Sequence, residues 1–578
     1  MSAVGDIAFI SRSGNLCFRS PREIVSTNTV AGVLQALQKL RDRVSKGLFA
    51  AGFLSYETAP AFDSAFACRP PGEVPLLWFG IYDGPVDRFR HDAFTFDAGP
   101  WEPLISRDEY VAQVARIRQW IAAGDTYQVN YAFPLHAPFR GDTWSWFQLL
   151  SAAQQADHCA YANTGRYHVV CASPELFFSL RNGVLRTRPM KGTRPRGRWL
   201  DEDEQIAHEL ERAEKDRAEN LMIVDLLRND MGRISDIQSI HVERMFEVER
   251  YPTVFQMTST IRSRTRADIP ETLSALFPSG SVTGAPKVRT MQIIREVEPF
   301  PRGVYCGAMG WWSPDGAAEF NVAIRCATVD TAQGEAVYPL GSGITWDSSA
   351  EEEYEECINK AAVLAHRPEE FELLESILFE GGFFLLERHL DRLSASARYF
   401  GFPIDTGAIR ERINSEARTR ARDRSGGRYK VRVWAARNGA VRTQWAPVSS
   451  NAPVRVGVSK SPVNSRDVFL FHKTTHRKVY EEALRTRPDC DDVLLFNERG
   501  ELTESTIGNV VIDLDGVRYT PPVDCGLLAG TFRAAVLAGG EVRERVLRRK
   551  DVFRSREIHL INSVRKWIPV TFADSARP

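Results

Sequence analysis

No stretch of this 578-residue sequence approaches the roughly 18 consecutive apolar residues of a membrane-spanning helix, and the N-terminal segment meets Asp6 and Arg12 before any sustained apolar run. Neither a membrane span nor a secretory leader is expected. Net charge is lacking as well: 74 Lys and Arg offset 74 Asp and Glu, which leaves no overall field to draw nucleic acid or an anionic membrane. The locally basic Val546–Lys550 stretch reads as solvated surface. The nine cysteines include no Cys-x-x-Cys pair and are odd in number, which argues against both a zinc site and a disulfide framework and for reduced thiols in a cytoplasmic protein. No internal repeat is present.

What remains is the composition of a globular protein, 26% charged and 43% hydrophobic, long enough for two large compact units or about three or four smaller ones. Residues 1–100 alternate short apolar runs, such as Gly47–Leu54 and Leu76–Tyr82, with Gly, Pro and Asp breaks, and predict short strands joined by turns. Ser106, with Glu109 three residues on, helical apolar spacing and a closing Gly124, predicts a helix. The alternation after Asp125 predicts a strand through Gln128 and Asn130. Further strands are expected at 168–171, 176–179, 305–311 and 321–328, and helices near 202–228, 285–297 and 350–364. The order is α+β or mixed α/β without a regular βαβ repeat. A Pro within the charged stretch Ala365–Glu370 ends one pattern and Phe371 begins another, placing a boundary between domains 1–366, with residues 1–100 as its β-rich part, and 367–578. Thr419–Gly427 reads as loosely structured.

The chemistry concentrates between Ser173 and Asp230. Glu175 stands alone after Ser-Pro, Lys191 sits in a Pro- and Gly-bounded loop, and Asp216 and Glu219 share one helix face. Further on, Glu353, Glu356 and Lys360 share another. Each helix by itself is an ordinary solvated face, and Glu356 to Lys360 has the order of a surface ion pair. Together they form an inventory of acid, nucleophile and cation site suited to an anionic substrate. Gly341-Ser-Gly343, a turn in most contexts, would let backbone N–H groups approach an anion.

These strings resemble the chorismate-utilising enzymes, and Pro189-Met-Lys191-Gly-Thr193 resembles component I of aminodeoxychorismate synthase in particular, because anthranilate synthases usually carry Ala where Lys191 stands. The resemblance implies that Glu219, Glu353 and Glu356 bind Mg²⁺, with Asp216 acting through water; Mg²⁺ favours such oxygen ligands. It implies that Ser281, Tyr305, Arg325, Gly341, Gly343 and Lys360 bind substrate. Glu175 becomes the general acid for loss of a ring hydroxyl, which requires a carboxylic acid kept protonated. Lys191 becomes the nucleophile, which must be neutral to act. One position departs from the pattern: many relatives have His where this chain has Gln256, and Gln can donate a hydrogen bond but cannot exchange a proton.

From about residue 371 the chain resembles the class IV aminotransferase fold, which includes aminodeoxychorismate lyase, on Glu387–Leu393, His472–Arg477, Leu502–Asn509 and Gly526–Arg533. The resemblance implies pyridoxal 5′-phosphate, Lys473 as the Schiff-base lysine, Glu504 at the pyridine nitrogen, and a phosphate held by Arg392 and groups near Ser505, Thr506, Thr531 and Phe532. Relatives often have Thr or Ser where Phe532 stands. The joint expectation is conversion of chorismate and ammonia to 4-amino-4-deoxychorismate and then, with release of pyruvate, to 4-aminobenzoate for folate synthesis. Ammonia would come from a separate glutamine amidotransferase subunit, and the cofactor domain would pair as a homodimer. Two other readings stay open: anthranilate synthase component I joined to an amino-acid aminotransferase, and a C-terminal half that is a non-catalytic scaffold.

Overall fold

The computed structural model describes residues 2–574 apart from 12–13, 88, 90–93, 366, 368, 423–426 and 449–451. The chain divides into two compact units, Met1–Arg196 with Ala207–Pro368, and Gly197–Ile206 with Glu369–Pro578. The segment expected to be loose ends a helix, Thr406–Arg422, and its 423–426 stretch lies outside the described residues. Among those residues no helix is long and apolar enough to cross a membrane.

The first unit is built on two large antiparallel sheets. One runs in the order Gly284–Ala285, Gln128–Gly141, Glu335–Ile344, Cys326–Asp330, Tyr167–Ser173, His158–Asn163, Ile7–Ser11 and Gly14–Phe18. The other begins at Met190–Pro195 and Val254–Arg264 and ends at Phe49–Leu54, Leu77–Tyr82 and Glu23–Thr27. The N-terminal hundred residues therefore complete the edges of both sheets. They also hold a helix, Val30–Val44, that the Gly and Pro punctuation obscured; Thr29 caps it, and Val33, Leu37, Leu40 and Val44 form its buried stripe. The helix expected from Ser106 is Arg107–Ala122, closed by a capping box between Ser106 and Glu109.

Two expected elements differ in a way that shapes the site. The single strand expected over 321–328 is two, Ala318–Val322 and Cys326–Asp330, and the break holds Arg325 at φ 51°. The strand expected from Tyr305 starts only at Ala308, because Cys306 turns at φ 62°. Left-handed backbone at non-glycine residues is costly and persists only where the surroundings impose it.

Behind these turns lies a buried ion pair. The Arg302 side chain, 3% exposed, donates to Glu298 Oε1 and Oε2 at 2.6 and 2.8 Å, to the Val282 carbonyl at 2.8 Å and to the Asn130 carbonyl at 2.7 Å. Glu298 Oε1 also accepts the Ala132 N–H. Glu57 accepts the N–H groups of Arg302 and Gly303.

In the second unit, Leu373–Phe379, Tyr429–Ala435 and Val441–Pro447 form a small sheet over a core that includes Leu390, Leu393 and Ile413. A larger mixed sheet, from Leu502–Ser505 through Asp492–Phe496, Val454–Val458, Lys566–Phe572 and Glu557–Asn562 to Asn509–Leu514, closes on itself because the first and last of these strands pair. Closure removes exposed edges there. Lys473 lies beside the small sheet, its carbonyl accepting the Leu374 N–H at 2.8 Å.

Removing one partner of the Arg302 pair strands a buried charge. Glu298→Ala is expected to cost about 3–5 kcal/mol in urea unfolding, and Glu298→Leu combined with Arg302→Met to recover most of it.

Candidate functional sites

In the first unit a cavity of about 260 Å³ is lined by Glu175, Lys191, Asp216, Glu219, Ser281, Tyr305, Arg325, Gly341, Gly343, Glu353, Glu356 and Lys360, together with Gln256. Every residue read from the sequence for this site reaches one space. They come from separate parts of the fold, among them the strands Met190–Pro195, Val254–Arg264 and Glu335–Ile344, the helices Glu214–Gly232 and Ala350–Lys360, the Ser281 turn and the break at Arg325. The strand Glu335–Ile344 pairs through Gly341 and Gly343 with Gln128–Gly141, but its pairing with Cys326–Asp330 ends at Val337. One edge is thereby open at the glycines, and Lys360 Nζ donates to the Gly341 carbonyl at 2.9 Å. A Cβ at Gly341 would press on the Tyr305 hydroxyl, and one at Gly343 would collide with Lys191 Nζ. The two glycines make room for these side chains, a role the anion-loop reading of Gly-x-Gly did not contain.

Glu175 is buried, and its Oε1 accepts the Ser281 hydroxyl at 2.5 Å. Burial pushes its carboxyl up to about 7, against the opposing pull of Ser281 and Lys191. It can therefore hold and release a proton near neutral pH. Burial also raises Glu219, and the neighbouring Asp216 and Glu353 carboxylates add to the shift. Glu356 behaves oppositely: burial works to raise it, but Lys360 at 2.7 Å, with Lys191 and Arg325 nearby, holds it below the usual carboxylate range. Asp216 is paired with Arg194 at 2.6 Å, and Glu353 accepts the Ser348 hydroxyl at 2.8 Å. Among the described residues no three His, Cys, Asp or Glu groups are close enough to hold a metal as they stand. The donor set nevertheless suits a hard divalent cation, since mutually repelling carboxylates on two helices line one cavity.

The second unit holds a cavity of about 490 Å³ that gathers Arg392, Lys473, Glu504, Ser505, Thr506, Thr531 and Phe532. Lys473 is half-buried, and its ammonium has no hydrogen-bond partner among the described residues; loss of solvent around it, helped by Arg392, lowers it to about 8. Burial pushes Glu504 up to about 7; it accepts Tyr480 Oη at 2.7 Å, the Leu528 N–H at 3.2 Å and Asn509 Nδ2 at 3.3 Å. Arg392 is aimed by Glu375, which takes two of its N–H groups at 2.8 Å and faces His389 at 2.6 Å. Burial alone would raise Glu375, but Arg392 and His389 hold it far below the usual carboxylate range. The helix Thr531–Ala538 opens into the cavity without a side-chain cap, which suits an anion. A half-buried lysine without a hydrogen-bond partner, a buried carboxyl in the same cavity and a cationic, N–H-lined end fit pyridoxal phosphate.

The profile of the family described as chorismate binding enzyme matches residues 87–366, and that of amino-transferase class IV matches residues 371–572. Aminodeoxychorismate synthase component 1 of Escherichia coli is 39% identical over 375 residues, covering 58% of this chain and 82% of that protein. The chain belongs to the chorismate-binding enzymes. Its second unit carries a class IV amino-transferase domain. Aminodeoxychorismate synthase component 1 of Klebsiella aerogenes is also 39% identical, over 53% of this chain and 66% of its own, so the chain spans just under two thirds of that relative's length. Anthranilate synthase component I of Streptococcus pneumoniae superposes with a TM-score of 0.51 at 25% identity, over 63% of this chain and 91% of that one.

Some residues of the two cavities differ in detail from expectation. Thr506 gives both its N–H and its hydroxyl to Asp492, and Ser505 gives both to the Gly508 carbonyl, so neither offers the cavity a free donor. The Phe532 ring packs against Phe384 and Trp567, which leaves only its backbone for an anion. Lys430, Arg432, Arg477 and Arg565 line the same cavity and were not singled out in the sequence. The alternation Lys430-Val-Arg432-Val was the available signal, since period two puts both cations on one face of a strand. In the first cavity Asn130 was likewise passed over; its Nδ2 is buried with no partner among the described residues, and the residue lines that cavity.

A carboxyl raised by burial takes up its proton more readily folded than unfolded, so folding carries a penalty that grows from the unfolded value near 4.3 to about 7 and is complete above it. Glu175→Gln is expected to stabilise the first unit by about 3 kcal/mol at pH 8, with the gain in melting midpoint shrinking as pH falls toward 5. A gap independent of pH would mean that Glu175 is not held near neutrality by burial.

Proposed function

We propose that the chain converts chorismate and ammonia to 4-amino-4-deoxychorismate in its first unit and that its second unit releases pyruvate from that product to leave 4-aminobenzoate, a folate precursor. The observation that carries the reading is Lys191, half-buried and in one cavity with the Glu175–Ser281 pair. It distinguishes amination at C4 from anthranilate formation, because it supplies a nucleophile that the ring can carry and later lose. Similarity to two component 1 proteins of aminodeoxychorismate synthase supports the same choice.

The Lys191 amine adds to C2 of the ring as Glu175 gives its proton to the C4 hydroxyl, which leaves as water while the ring double bonds shift. Ammonia then bonds to C4, the double bonds shift back, and the bond from C2 to Lys191 breaks. Ser281 holds the Glu175 carboxyl in place throughout. Gln256 accepts the Thr193 hydroxyl at 3.2 Å and keeps its amide N–H groups for the departing oxygen. Glu219, Glu353, Glu356 and, through water, Asp216 would hold Mg²⁺, which would supply positive charge for a substrate carboxylate. Ammonia would be delivered by a separate glutamine amidotransferase subunit.

In the second unit Lys473, Glu504, Arg392 and the N-terminus of Thr531–Ala538 would hold pyridoxal phosphate, which supplies an electron sink when bound. Lys473 removes the proton from the ring carbon that carries the amino group. The electrons left behind expel the enolpyruvyl oxygen and restore aromaticity, and the released enol becomes pyruvate. Tyr480 and Asn509 fix the Glu504 carboxyl, which would serve the ring nitrogen of a bound cofactor. The scaffold reading is disfavoured by a half-buried lysine without a hydrogen-bond partner, since partly desolvating an idle cation costs stability.

Purified chain given chorismate, ammonium, Mg²⁺ and pyridoxal phosphate is expected to yield 4-aminobenzoate and pyruvate in equal amounts by chromatography; anthranilate would overturn the reading of Lys191. Lys191→Ala should lower formation of the aminated product by about 10³-fold or more. Gly343→Ala, whose methyl would displace only flexible side-chain ends, should keep the melting temperature while lowering amination.

A further inference from the structure

The second unit includes ten residues, Gly197–Ile206, that lie in sequence between the Lys191 strand and the Asp216–Glu219 helix. Their seating is specific. The Gly197 carbonyl accepts Tyr399 Oη at 2.6 Å, and the Gly197 N–H donates to the fully buried Asp203 at 2.9 Å; a Cβ at Gly197 would collide with the backbone of Asp203. The Arg198 guanidinium bridges Glu202 and Asp524. The Trp199 ring lies 5.1 Å from that of Phe471 at 33°.

The partner of most consequence is His472, buried between the rings of Tyr399 and Phe400. Its Nε2 lies 3.1 Å from the Arg198 carbonyl. A carbonyl only accepts, so Nε2 carries the hydrogen, and in the neutral ring Nδ1 accepts the Ser396 hydroxyl at 2.9 Å. The next residue is Lys473, whose own carbonyl is fixed by Leu374. The lysine is thus held on one side by the small sheet and on the other by a histidine anchored to chain that belongs, in sequence, to the chorismate-binding half.

We infer that Arg198 and Trp199 are positioning residues of the second site, fixing Phe471 and His472 and thereby the backbone from which Lys473 Nζ reaches its cofactor. This inference rests on the reading of Lys473 as the cofactor lysine. It makes the class IV unit dependent on a strap from the preceding half.

Two histidine variants separate the contacts, because the Gln amide overlays Nε2 and the Asn amide overlays Nδ1. The full chain loaded with pyridoxal phosphate would be titrated with pH while its visible absorption band is followed, beside kcat and KM for pyruvate release. His472→Asn, which gives up the Arg198 bond, and Trp199→Leu, which keeps apolar volume without the ring, are expected to move the band's midpoint by about half a pH unit or more. Both should lower kcat about tenfold with KM nearly constant, whereas His472→Gln should resemble the unaltered chain. Should Trp199→Leu fail to fold, the Asn and Gln pair decides. Unchanged titration and kcat in folded His472→Asn would overturn the inference alone; absence of any band in the unaltered chain would overturn it together with the cofactor reading.

Discussion

The first site depends on a guanidinium that never touches it. Arg302 binds the carbonyls of Val282 and Asn130 and both oxygens of Glu298, so one planar group ties the Ser281 turn to the strand opposite Gly343. Three residues on, Tyr305 enters the cavity. A cation buried this deeply is tolerated only when it is paired and hydrogen-bonded, and that demand fixes the relative position of segments 172 residues apart in sequence. Arginine suits the role where lysine would not, because its planar fork serves several acceptors at once.

The two sites share an electrostatic plan on unrelated scaffolds. Each holds one carboxyl that burial lifts to about 7, Glu175 in one and Glu504 in the other, and each sets a lysine in the same cavity. Each also has a carboxylate kept ionised by basic neighbours, Glu356 by Lys360 and Glu375 by Arg392 and His389. Proton-exchanging groups and permanently charged groups are separated by their surroundings rather than by residue type. In the first cavity Glu356 lies on the helix Ala350–Lys360, whose last turn carries Lys360, while Glu175 sits where little solvent reaches.

Much of this was legible in the residues. The strings around Glu175, Lys191, Glu353, Lys473 and Glu504 are local, and local strings carry their chemistry wherever the chain folds them; all the residues they marked line two cavities. The capping box at Ser106 and Glu109 was readable for the same reason. What escaped detection depends on distant partners. Nothing beside Thr506 announces that Asp492 will take its donors, and nothing beside Arg302 announces four acceptors from three segments. The break at Arg325 was hidden because its flanks, Phe320-Asn-Val and Cys326-Ala-Thr-Val, both read as strand. Helix Val30–Val44 was readable from its spacing and was masked only by the punctuation around it.

The strap at Gly197–Ile206 imposes an order of events on the ribosome. Arg198 and His472 are separated by 274 positions, and at about 5–20 residues per second roughly 14–55 s pass between their synthesis. During that interval the two sheets of the first unit can close, since their strands all precede Pro368, but Trp199 and the buried face of Leu200 must wait in a bay of nascent chain. The segment's own makeup fits the delay: Asp201, Glu202, Asp203 and Glu204 follow Trp199-Leu200 directly, a run of like charge that keeps an unpartnered apolar pair soluble until its seat is made.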